Sequence, residues 1–397
     1  MNERADRTSR REFLLKAGAA GASLPLAARA SSIPAPAARA AASGGDKQNP
    51  ITDEQRGIFA VMEVPFYEKL KNRVVECQVC PKKCKVGDQE RGYCGNKENR
   101  KGKYYTLAYA NPCAVHNDPI EKKPLFHFLP GTIAASISTA GCNFNCKFCQ
   151  NWDISQSRPE QTPNVRLMPD ELARFARNSS AHTIAYTYGE PVVFYRYMYD
   201  CAVEGKKASL KNVMITNGYI NEKPLRELCK VLDAVKVDFK AYTDKFYRET
   251  CDGELKPVLD TLVLLKELNT WCEMVYLVVP TLNDDVKDIR AMSKWIMKNL
   301  GPDVPLHFTR FHPIYMMTNL PRTPVNTLER ARETALEAGL HYVYLGNVPG
   351  HEAENTFCHK CGKRLVVRSQ YFVSENNVTA RGACRFCSAA IPGVWGG

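Results

Sequence analysis

Three features that define common classes of protein are missing from this 397-residue sequence. No apolar run is long enough to cross a membrane, because the one candidate, near the N-terminus, is short and only weakly apolar. No segment combines a basic run with interleaved aromatic side chains, so we do not expect nucleic-acid binding despite a formal net charge of +12. The cysteines do not follow the pattern of a small secreted disulfide scaffold. With 44% hydrophobic residues, the chain is long enough to bury a full-sized core.

Cysteine, by contrast, is abundant: the chain has 16, and 11 of them fall into three short groups, which is typical of metal sites. The middle group, Cys142, Cys146 and Cys149 in "AGCNFNCKFCQNWD", places three thiols on one short loop. A structural zinc site or an ordinary ferredoxin-type cluster uses four protein ligands. A metal centre that lacks one protein ligand usually binds a further molecule at that position.

The N-terminus carries the pattern of a targeting signal. The segment "TSRREFLLKAGAAGASLPLAARASS" joins the twin arginines Arg10 and Arg11 to a weakly apolar stretch and to the cleavage-like Ala28-Arg29-Ala30. It resembles a twin-arginine export signal over residues 1–30, followed by an Ala/Pro/Ser-rich linker over residues 31–48. We therefore expect export to the periplasm or a comparable compartment, with a cytoplasmic location as the alternative.

From residue 131 onward, β-rich apolar runs alternate with amphipathic helical stretches. Near-continuous apolar strands separated by helices predict a parallel sheet covered by helices, which is an α/β fold. Closing about six such units gives a partial (β/α)6 barrel over residues 131–348. The predicted strands are 133–138, 183–187, 213–216, 234–239, 274–279, 306–311 and 342–345.

Polar residues follow these strands repeatedly. Barrel enzymes carry their active sites at the C-terminal ends of the strands, so the repetition predicts an active-site rim. Taken singly, each of these residues could equally be a helix cap, a turn residue or a solvated charge. The rim comprises the three cysteines, Tyr188-Gly189-Glu190-Pro191, Asn217-Gly218, Asp238, Lys240, Pro280 to Asp284, and His312-Pro313.

The Cys-x3-Cys-x2-Cys spacing, with Phe148 before the third cysteine and a partial barrel behind it, resembles the radical S-adenosylmethionine (SAM) superfamily. The resemblance implies that Cys142, Cys146 and Cys149 are the catalytic thiols that hold a 4Fe-4S cluster. The fourth iron is then left for the amino and carboxylate groups of SAM. Reductive cleavage of SAM in that superfamily yields a 5'-deoxyadenosyl radical, which abstracts hydrogen from a substrate.

The resemblance also implies residues that bind SAM. Tyr188-Gly189-Glu190 is similar to the superfamily's Gly-Gly-Glu motif, which contacts the cofactor's amino group, with tyrosine where the first glycine is usual. Asp238 and Lys240 are similar to an Asp-x-Lys element that meets the carboxylate and ribose. Phe148 is expected to pack on the adenine. The implied contacts are Phe148, Tyr188, Gly189, Glu190, Asn217, Asp238 and Lys240.

Longer segments resemble one family more closely, the radical enzyme of the AmmeMemoRadiSam system, which is itself similar to the pyruvate formate-lyase activating enzyme. They are "DPIEKKPLFHFLPG", "AGCNFNCKFCQNWDISQ", "AYTYGEPVVFY", "HFTRFHP" and "YVYLGNVPG". The resemblance implies a flavodoxin- or ferredoxin-type electron donor, two co-occurring partner proteins and an unknown substrate, for which a protein is one candidate.

Two further cysteine groups flank the barrel. Residues 349–397 contain Cys358, Cys361, Cys384 and Cys387, whose paired Cys-x2-Cys spacing predicts a zinc-ribbon-like module. Residues 49–130 contain four more potential ligands. This N-terminal set suits structural zinc, the preferred interpretation, and would equally suit an auxiliary iron–sulfur cluster. Its members are Cys77, Cys80, Cys84 and Cys94.

The remaining polar residues and thiols are less informative. Asp118, Glu121, Lys122, Lys123, His127 and His312 either line the substrate mouth or make local hydrogen bonds. Cys113, Cys201, Cys229, Cys251 and Cys272 are isolated and are expected to be small buried hydrophobes. Besides a radical enzyme, two other functions stay open: an iron–sulfur electron carrier, and a zinc-stabilised interaction protein with an inactive barrel. Strand-end polar residues argue against the carrier, and the intact cysteine triplet argues against the inactive barrel.

Overall fold

The structure, a computed structural model, describes residues 52–54 and 57–396. The predicted export signal and linker lie outside these residues. In the described part of the chain, no helix is both long and apolar enough to cross a membrane.

The N-terminal segment forms two small antiparallel sheets of three strands each. One has the strand order β1-β6-β5 and the other β2-β3-β4. Cys77 ends β3, so the first predicted thiol ligand lies at the tip of the second sheet. The strands are β1 (Ala60–Glu63), β2 (Tyr67–Lys69), β3 (Val75–Cys77), β4 (Lys85–Val86), β5 (Lys97–Arg100) and β6 (Lys103–Tyr109).

The central sheet has eight strands in the sequential order β14 to β7. Its strands are β7 (Ala114–Pro119), β8 (Ile133–Ser138), β9 (Thr183–Tyr186), β10 (Lys211–Thr216), β11 (Ala234–Asp238), β12 (Trp271–Val278), β13 (Leu306–Arg310) and β14 (Val343–Gly346). The helices are α1 (Trp152–Ser155), α2 (Pro169–Asn178), α3 (Tyr195–Lys207), α4 (Glu222–Cys229), α5 (Asp244–Phe246), α6 (Leu255–Glu267), α7 (Val286–Asn299) and α8 (Val325–Glu337).

Strands β8 to β14 are all parallel. Six strand–helix units, from β8 with α2 to β13 with α8, are followed by the seventh parallel strand, β14. This confirms the predicted partial (β/α)6 barrel. Strand β7 pairs antiparallel with β8, so residues from the N-terminal segment supply an eighth strand at the edge of the barrel sheet.

The barrel forms because its strands have buried side chains on both faces, while each covering helix has an apolar face that packs against the sheet. In β10, Asn212 to Thr216 are all buried, as expected for a strand covered by helices outside and by side chains inside. Helix α6 buries Val258, Leu262 and Leu265 at helical spacing against the sheet. This packing fixes the strand ends, and therefore the polar residues that follow them.

The C-terminal module is a three-stranded sheet of β15 (Thr356–Phe357), β16 (Arg364–Ser369) and β17 (Phe372–Asn376). It shares a hydrophobic cluster with the barrel, in which Leu365 and Ile391 pack with Phe126, Tyr342 and Tyr344. The backbone continues this contact, because the Leu129 N–H donates to Val394 O and the Val394 N–H donates to His127 O, both at 2.7 Å. The module therefore packs directly against the barrel.

Candidate active site

The three-cysteine loop follows β8 and enters a cavity of about 730 Å³ at the C-terminal ends of the parallel strands. Cys142, Cys146 and Cys149 all line this cavity. The loop is held at its start by the Gly141 N–H, which donates to Ile154 O at 2.9 Å, where Gly141 has a φ of 92° that favours glycine. The structure thus brings the three predicted thiols to one place.

A fourth thiol, missed by the sequence analysis, lies beside this loop. Cys251 ends a π-helical turn, and its carbonyl accepts the Asn145 N–H at 2.9 Å while Thr250 O accepts the Lys147 N–H at 3.0 Å. The neighbouring Cys251 thiol lowers the pKa of Cys146. No local spacing relates residue 251 to the loop, so only the fold reveals this contact.

Glu190 lies at the same cavity and is almost fully buried. It is the N-cap of a short turn, where Oε1 accepts the Val192 N–H at 3.1 Å. Oε1 also accepts the Thr216 hydroxyl at 2.6 Å, and Oε2 accepts the Asn217 N–H at 2.7 Å. Burial raises the pKa of Glu190 to about 7, although these hydrogen bonds oppose the rise. Glu190 is therefore both a cap and a cavity-lining carboxyl group.

Asn217 joins two of the rim loops. Its Nδ2 donates to Asn143 Oδ1 at 2.8 Å, and its Oδ1 accepts the Tyr219 N–H at 2.9 Å. Asn143 in turn donates to Tyr219 O at 2.9 Å. Because Asn143 stands directly after Cys142, this amide network positions the cysteine loop on the end of β10.

Tyr188 adopts the left-handed conformation, with a φ of 64°. This is a conformation that glycine adopts without strain, which gives a physical reason for the glycine that is usual at this position of the motif. The Tyr188 hydroxyl donates to Asp118, and the Lys123 ammonium lies 4.4 Å from the centre of its ring. Gly189 is closely packed, since a methyl group there would lie 2.9 Å from Ser138 Oγ and 3.2 Å from Thr139 O, so Ser138 would have to move.

Asp238 lies between two lysines at the end of β11. Lys240 Nζ is 3.5 Å from Asp238 Oδ2, and Lys236, which the sequence analysis did not select, contacts the other oxygen. Although burial opposes ionisation, the two ammonium groups lower the pKa of Asp238. The Lys240 ammonium also lies 6.0 Å from the centre of the Phe148 ring, so the predicted adenine-side residue and the predicted charged pair share one wall.

Of the polar residues left open by the sequence, most line this cavity. Asp118 forms ion pairs with two lysines, since its Oδ1 lies 2.8 Å from Lys122 Nζ and its Oδ2 lies 2.5 Å from Lys123 Nζ. Burial lowers the pKa of Lys123 to about 8. His127 instead makes structural contacts, because its ring nitrogens lie 2.6 Å from the Tyr344 hydroxyl and 2.7 Å from Pro392 O. The cavity-lining members are Glu121, Lys122, Lys123 and His312.

Comparison with known proteins decides the family. Residues 136–292 match the model of the Radical SAM superfamily. The chain is 44% identical over 330 residues to the uncharacterized protein MJ0808 of Methanocaldococcus jannaschii, covering 83% of this chain and 98% of that protein. It is 26% identical over 292 residues to the uncharacterized protein MJ0674 of the same organism, and the match covers 70% of this chain and 79% of that protein. The chain belongs to the radical SAM superfamily.

Among solved structures, a complex of Streptococcus suis SuiB with S-adenosylmethionine is 12% identical, with a TM-score of 0.44, and the match covers 60% of this radical SAM enzyme and 56% of that chain. Superfamily membership implies SAM and a 4Fe-4S cluster as cofactors. The donor set fits the cluster, because Cys142, Cys146 and Cys149 line the cavity together, whereas Cys251, beside Cys146, is not among its lining residues. The remaining volume, with Glu190 and Lys240 on its walls, is available to a small molecule.

The C-terminal cysteines of the radical SAM enzyme form a compact four-thiol group. All four sulfur atoms lie within 4.8 Å of one another, with Cys358 and Cys387 at 3.6 Å and Cys361 and Cys384 at 3.9 Å. Four thiolates around a tetrahedral ion with bonds of about 2.3 Å are roughly 3.8 Å apart. The group is thus a metal-binding site that fits a single tetrahedral ion.

The N-terminal cysteines lie around one buried lysine. Lys97 Nζ is 3.8 Å from Cys94 Sγ and donates to Val193 O at 2.9 Å. Burial opposes the charge of Lys97, but the four thiols of this group raise its pKa overall. The backbone of Cys77 donates to Cys84 O at 3.0 Å, which closes the hairpin that carries three of the four thiols.

Proposed function

We propose that this radical SAM enzyme cleaves SAM reductively and uses the resulting 5'-deoxyadenosyl radical to abstract hydrogen from a substrate in the same cavity. When bound, the 4Fe-4S cluster on Cys142, Cys146 and Cys149 supplies the electron that breaks one carbon–sulfur bond of SAM. The observation that carries the proposal is the cavity itself, which the three thiols share with Glu190 and with the pair Asp238 and Lys240. An electron carrier has no need of such a pocket.

The chain's own residues would bind and orient the cofactor. Glu190 has hydrogen-bond acceptor capacity left at Oε2, which suits the amino group of SAM. Lys240 carries a charge that suits the carboxylate, and Asp238 suits the ribose hydroxyls. The Phe148 ring is an apolar face at which adenine could stack. Superfamily resemblance supports each of these assignments.

We also propose zinc for the C-terminal four-thiol group, because its sulfur spacing suits tetrahedral coordination. Zinc there would stabilise a small sheet that otherwise depends on its contact with Phe126 and Tyr344.

The finer identity we propose is the radical enzyme of the AmmeMemoRadiSam system, exported by the twin-arginine route. It is supported by the quoted sequence segments and by the N-terminal arginine pair. Its electron donor would be a flavodoxin- or ferredoxin-type protein, and its substrate could be a protein that reaches the cavity mouth. No nucleic acid is expected as a partner.

The function is tested by anaerobic reconstitution with iron and sulfide, followed by dithionite and SAM, with 5'-deoxyadenosine as the product measured. Wild type should form it. Cys146→Ala should lose both the product and the cluster chromophore of this site, because each thiolate holds one iron. Cys229→Ala, at the distant end of α4, is the matched control and should behave as wild type. Product formation by Cys146→Ala would refute the assignment.

A further inference from the structure

The four N-terminal cysteines differ from the C-terminal four in the spacing of their sulfur atoms. Among the described residues, the C-terminal group alone has three or more potential ligand atoms all within 4.8 Å of one another. The sulfur atoms of Cys77, Cys80, Cys84 and Cys94 therefore spread more widely. Two thiolates bound to one zinc at about 2.3 Å are at most roughly 4.6 Å apart. A single ion does not fit this spacing, whereas a cluster of several iron atoms separates its thiolates further.

The thiols of the catalytic loop provide an internal comparison. The sulfur atoms of Cys142, Cys146 and Cys149, which membership in the superfamily assigns to a 4Fe-4S cluster, likewise do not all lie within 4.8 Å of one another. In the described part of the chain, the N-terminal and barrel thiol groups thus both exceed the spacing of a single-ion site, and the C-terminal group matches it.

The charge around the N-terminal thiols also calls for a bound anionic centre. The Lys97 ammonium is buried and contacts Cys94 Sγ at 3.8 Å and Val193 O at 2.9 Å, and no carboxylate of the described residues forms an ion pair with it. A buried ammonium is costly unless it is paired. Four thiolates holding a cluster carry a net negative charge that would pair with Lys97.

The N-terminal thiols lie next to the catalytic loop. Cys94 and Cys142 line one further cavity, of about 640 Å³. The backbones touch beside them, since a methyl group at Gly141 would lie 2.5 Å from Cys94 O. Asn96 fixes this contact, because its Nδ2 donates to Ala140 O at 2.5 Å. Two centres held by Cys94 and Cys142 would be close neighbours.

We propose that Cys77, Cys80, Cys84 and Cys94 hold a second iron–sulfur cluster that passes electrons to the cluster on Cys142, Cys146 and Cys149. The inference rests on the proposed function. One electron enters from the flavodoxin- or ferredoxin-type donor and reduces the N-terminal cluster. The same electron would then pass to the cluster on Cys142, Cys146 and Cys149, which returns the N-terminal cluster to its oxidised state. It would be consumed, with reoxidation of the second cluster, when one carbon–sulfur bond of SAM breaks to give methionine and the 5'-deoxyadenosyl radical. No proton moves in this transfer.

The decisive variant removes the catalytic thiols and leaves the N-terminal group intact. Anaerobically purified Cys142→Ala/Cys146→Ala/Cys149→Ala should retain about four iron and four sulfide per chain, with the Mössbauer spectrum of a 4Fe-4S cluster. It should also retain about one zinc, from the C-terminal group. The complementary variant Cys77→Ser/Cys80→Ser should lose about half of the wild-type iron. About two zinc and no iron in the triple variant would overturn the proposal.

Electron exchange is tested by electron paramagnetic resonance (EPR) of the dithionite-reduced protein. If two reduced clusters are close neighbours, the electron spins in wild type should relax faster than the spins of either cluster in the variant that retains it alone. The wild-type spectrum should therefore differ from the sum of the two variant spectra. Lys97→Met should shift the midpoint potential of the N-terminal signal to lower values, because a positive charge beside the cluster is lost. Lys85→Met, exposed on the same hairpin, is the control. A spectrum equal to the simple sum, or an unmoved potential, would contradict the relay.

The two proposals fail separately. Iron in the triple variant without 5'-deoxyadenosine from wild type would refute the function and leave the second cluster in place. If wild type forms 5'-deoxyadenosine and the triple variant contains only zinc, the second cluster is refuted and the proposed function stands.

Discussion

Glu190 Oε2 accepts the backbone N–H of Asn217 at 2.7 Å, which ties the end of β9 to the end of β10. Oε1 already accepts hydrogen bonds from Val192 and Thr216, so Oε2, with one hydrogen bond, has acceptor capacity left in a residue that lines the cavity. The same carboxylate that shapes the rim can therefore also bind a cofactor. The two roles differ in how they depend on ionisation.

The first prediction concerns Glu190→Gln and pH. Burial raises the pKa of Glu190 to about 7, so the carboxyl group is ionised at pH 8 and largely protonated at pH 6. Loss of a charge-assisted contact of about 1.5 to 3 kcal/mol should weaken SAM binding about ten- to a hundredfold at pH 8. At pH 6 the difference between wild type and variant should shrink, as measured by anaerobic equilibrium dialysis.

Comparing two proteins at each pH cancels any titration of SAM itself. Glu204→Gln, on α3 and paired with Lys207 at the surface, serves as the control. Equal affinity of wild type and Glu190→Gln at pH 8 would leave Glu190 with the role of a helix cap only.

The second prediction concerns location. The export machinery reads paired guanidinium groups, which lysine does not reproduce, so Arg10→Lys/Arg11→Lys should keep the protein in the cytoplasm. Wild type should be found outside the inner membrane, with a mature N-terminus near Ser31. Fractionation and N-terminal sequencing give the measurement. Full-length protein with Met1 retained, found only in the cytoplasm, would refute export.

The barrel and its catalytic loop could be predicted because their signals are local. Alternating apolar runs and helices identify the parallel strands, and a loop such as Cys142 to Cys149 brings its own ligands together. Strand β7 was not anticipated, because antiparallel pairing with β8 depends on a contact between segments rather than on a repeat in the sequence.

Long-range neighbours of the site escaped the sequence for the same reason. Cys251 is more than a hundred residues from Cys146 and carries no motif, yet a backbone pairing puts it beside that thiol. In the sequence, Lys236 is one charged residue within a predicted strand. The structure shows that it forms an ion pair with Asp238, which also pairs with Lys240. The spacing of a motif can identify ligands that lie on one loop. Residues that contact those ligands from other elements can be identified only once the whole fold is known.

The third prediction concerns the C-terminal metal. Cys361→Ser removes one thiolate from the compact group, so about one metal ion per chain should be lost and hydrogen exchange in residues 356–391 should accelerate. The barrel chromophore should remain, because its thiols lie elsewhere. Cys113→Ser, outside all three groups, is the control for both metal analysis and exchange.

A chain ending at Gly350 should be affected more severely. It uncovers Phe126 and Tyr344 and removes Arg368, the buried ion-pair partner of Glu121. Breaking a buried pair costs about 3 to 5 kcal/mol. The truncated chain should therefore unfold at a lower denaturant concentration than Cys361→Ser. Equal stability would show that the module folds independently of the barrel.

The fourth prediction separates the backbone of Tyr188 from its side chain. Tyr188→Phe keeps the ring and the left-handed conformation but loses the hydroxyl that donates to the buried Asp118. A hydrogen bond to a charged group contributes about 1.5 to 3 kcal/mol, so the free energy of unfolding should fall by that order. SAM affinity should stay within about twofold, because the hydroxyl donates to Asp118 and contacts neither Glu190 nor Lys240 by a hydrogen bond.

Tyr188→Gly tests the other half of the argument. Glycine adopts a φ of 64° without the roughly 1 to 2 kcal/mol that a side chain costs there, but it also loses the ring that covers Lys123. Any cofactor contact made by the backbone should survive both substitutions. A tenfold loss of SAM affinity in Tyr188→Phe, measured by the same dialysis, would place the hydroxyl at the cofactor and move Asp118 into the binding site with it.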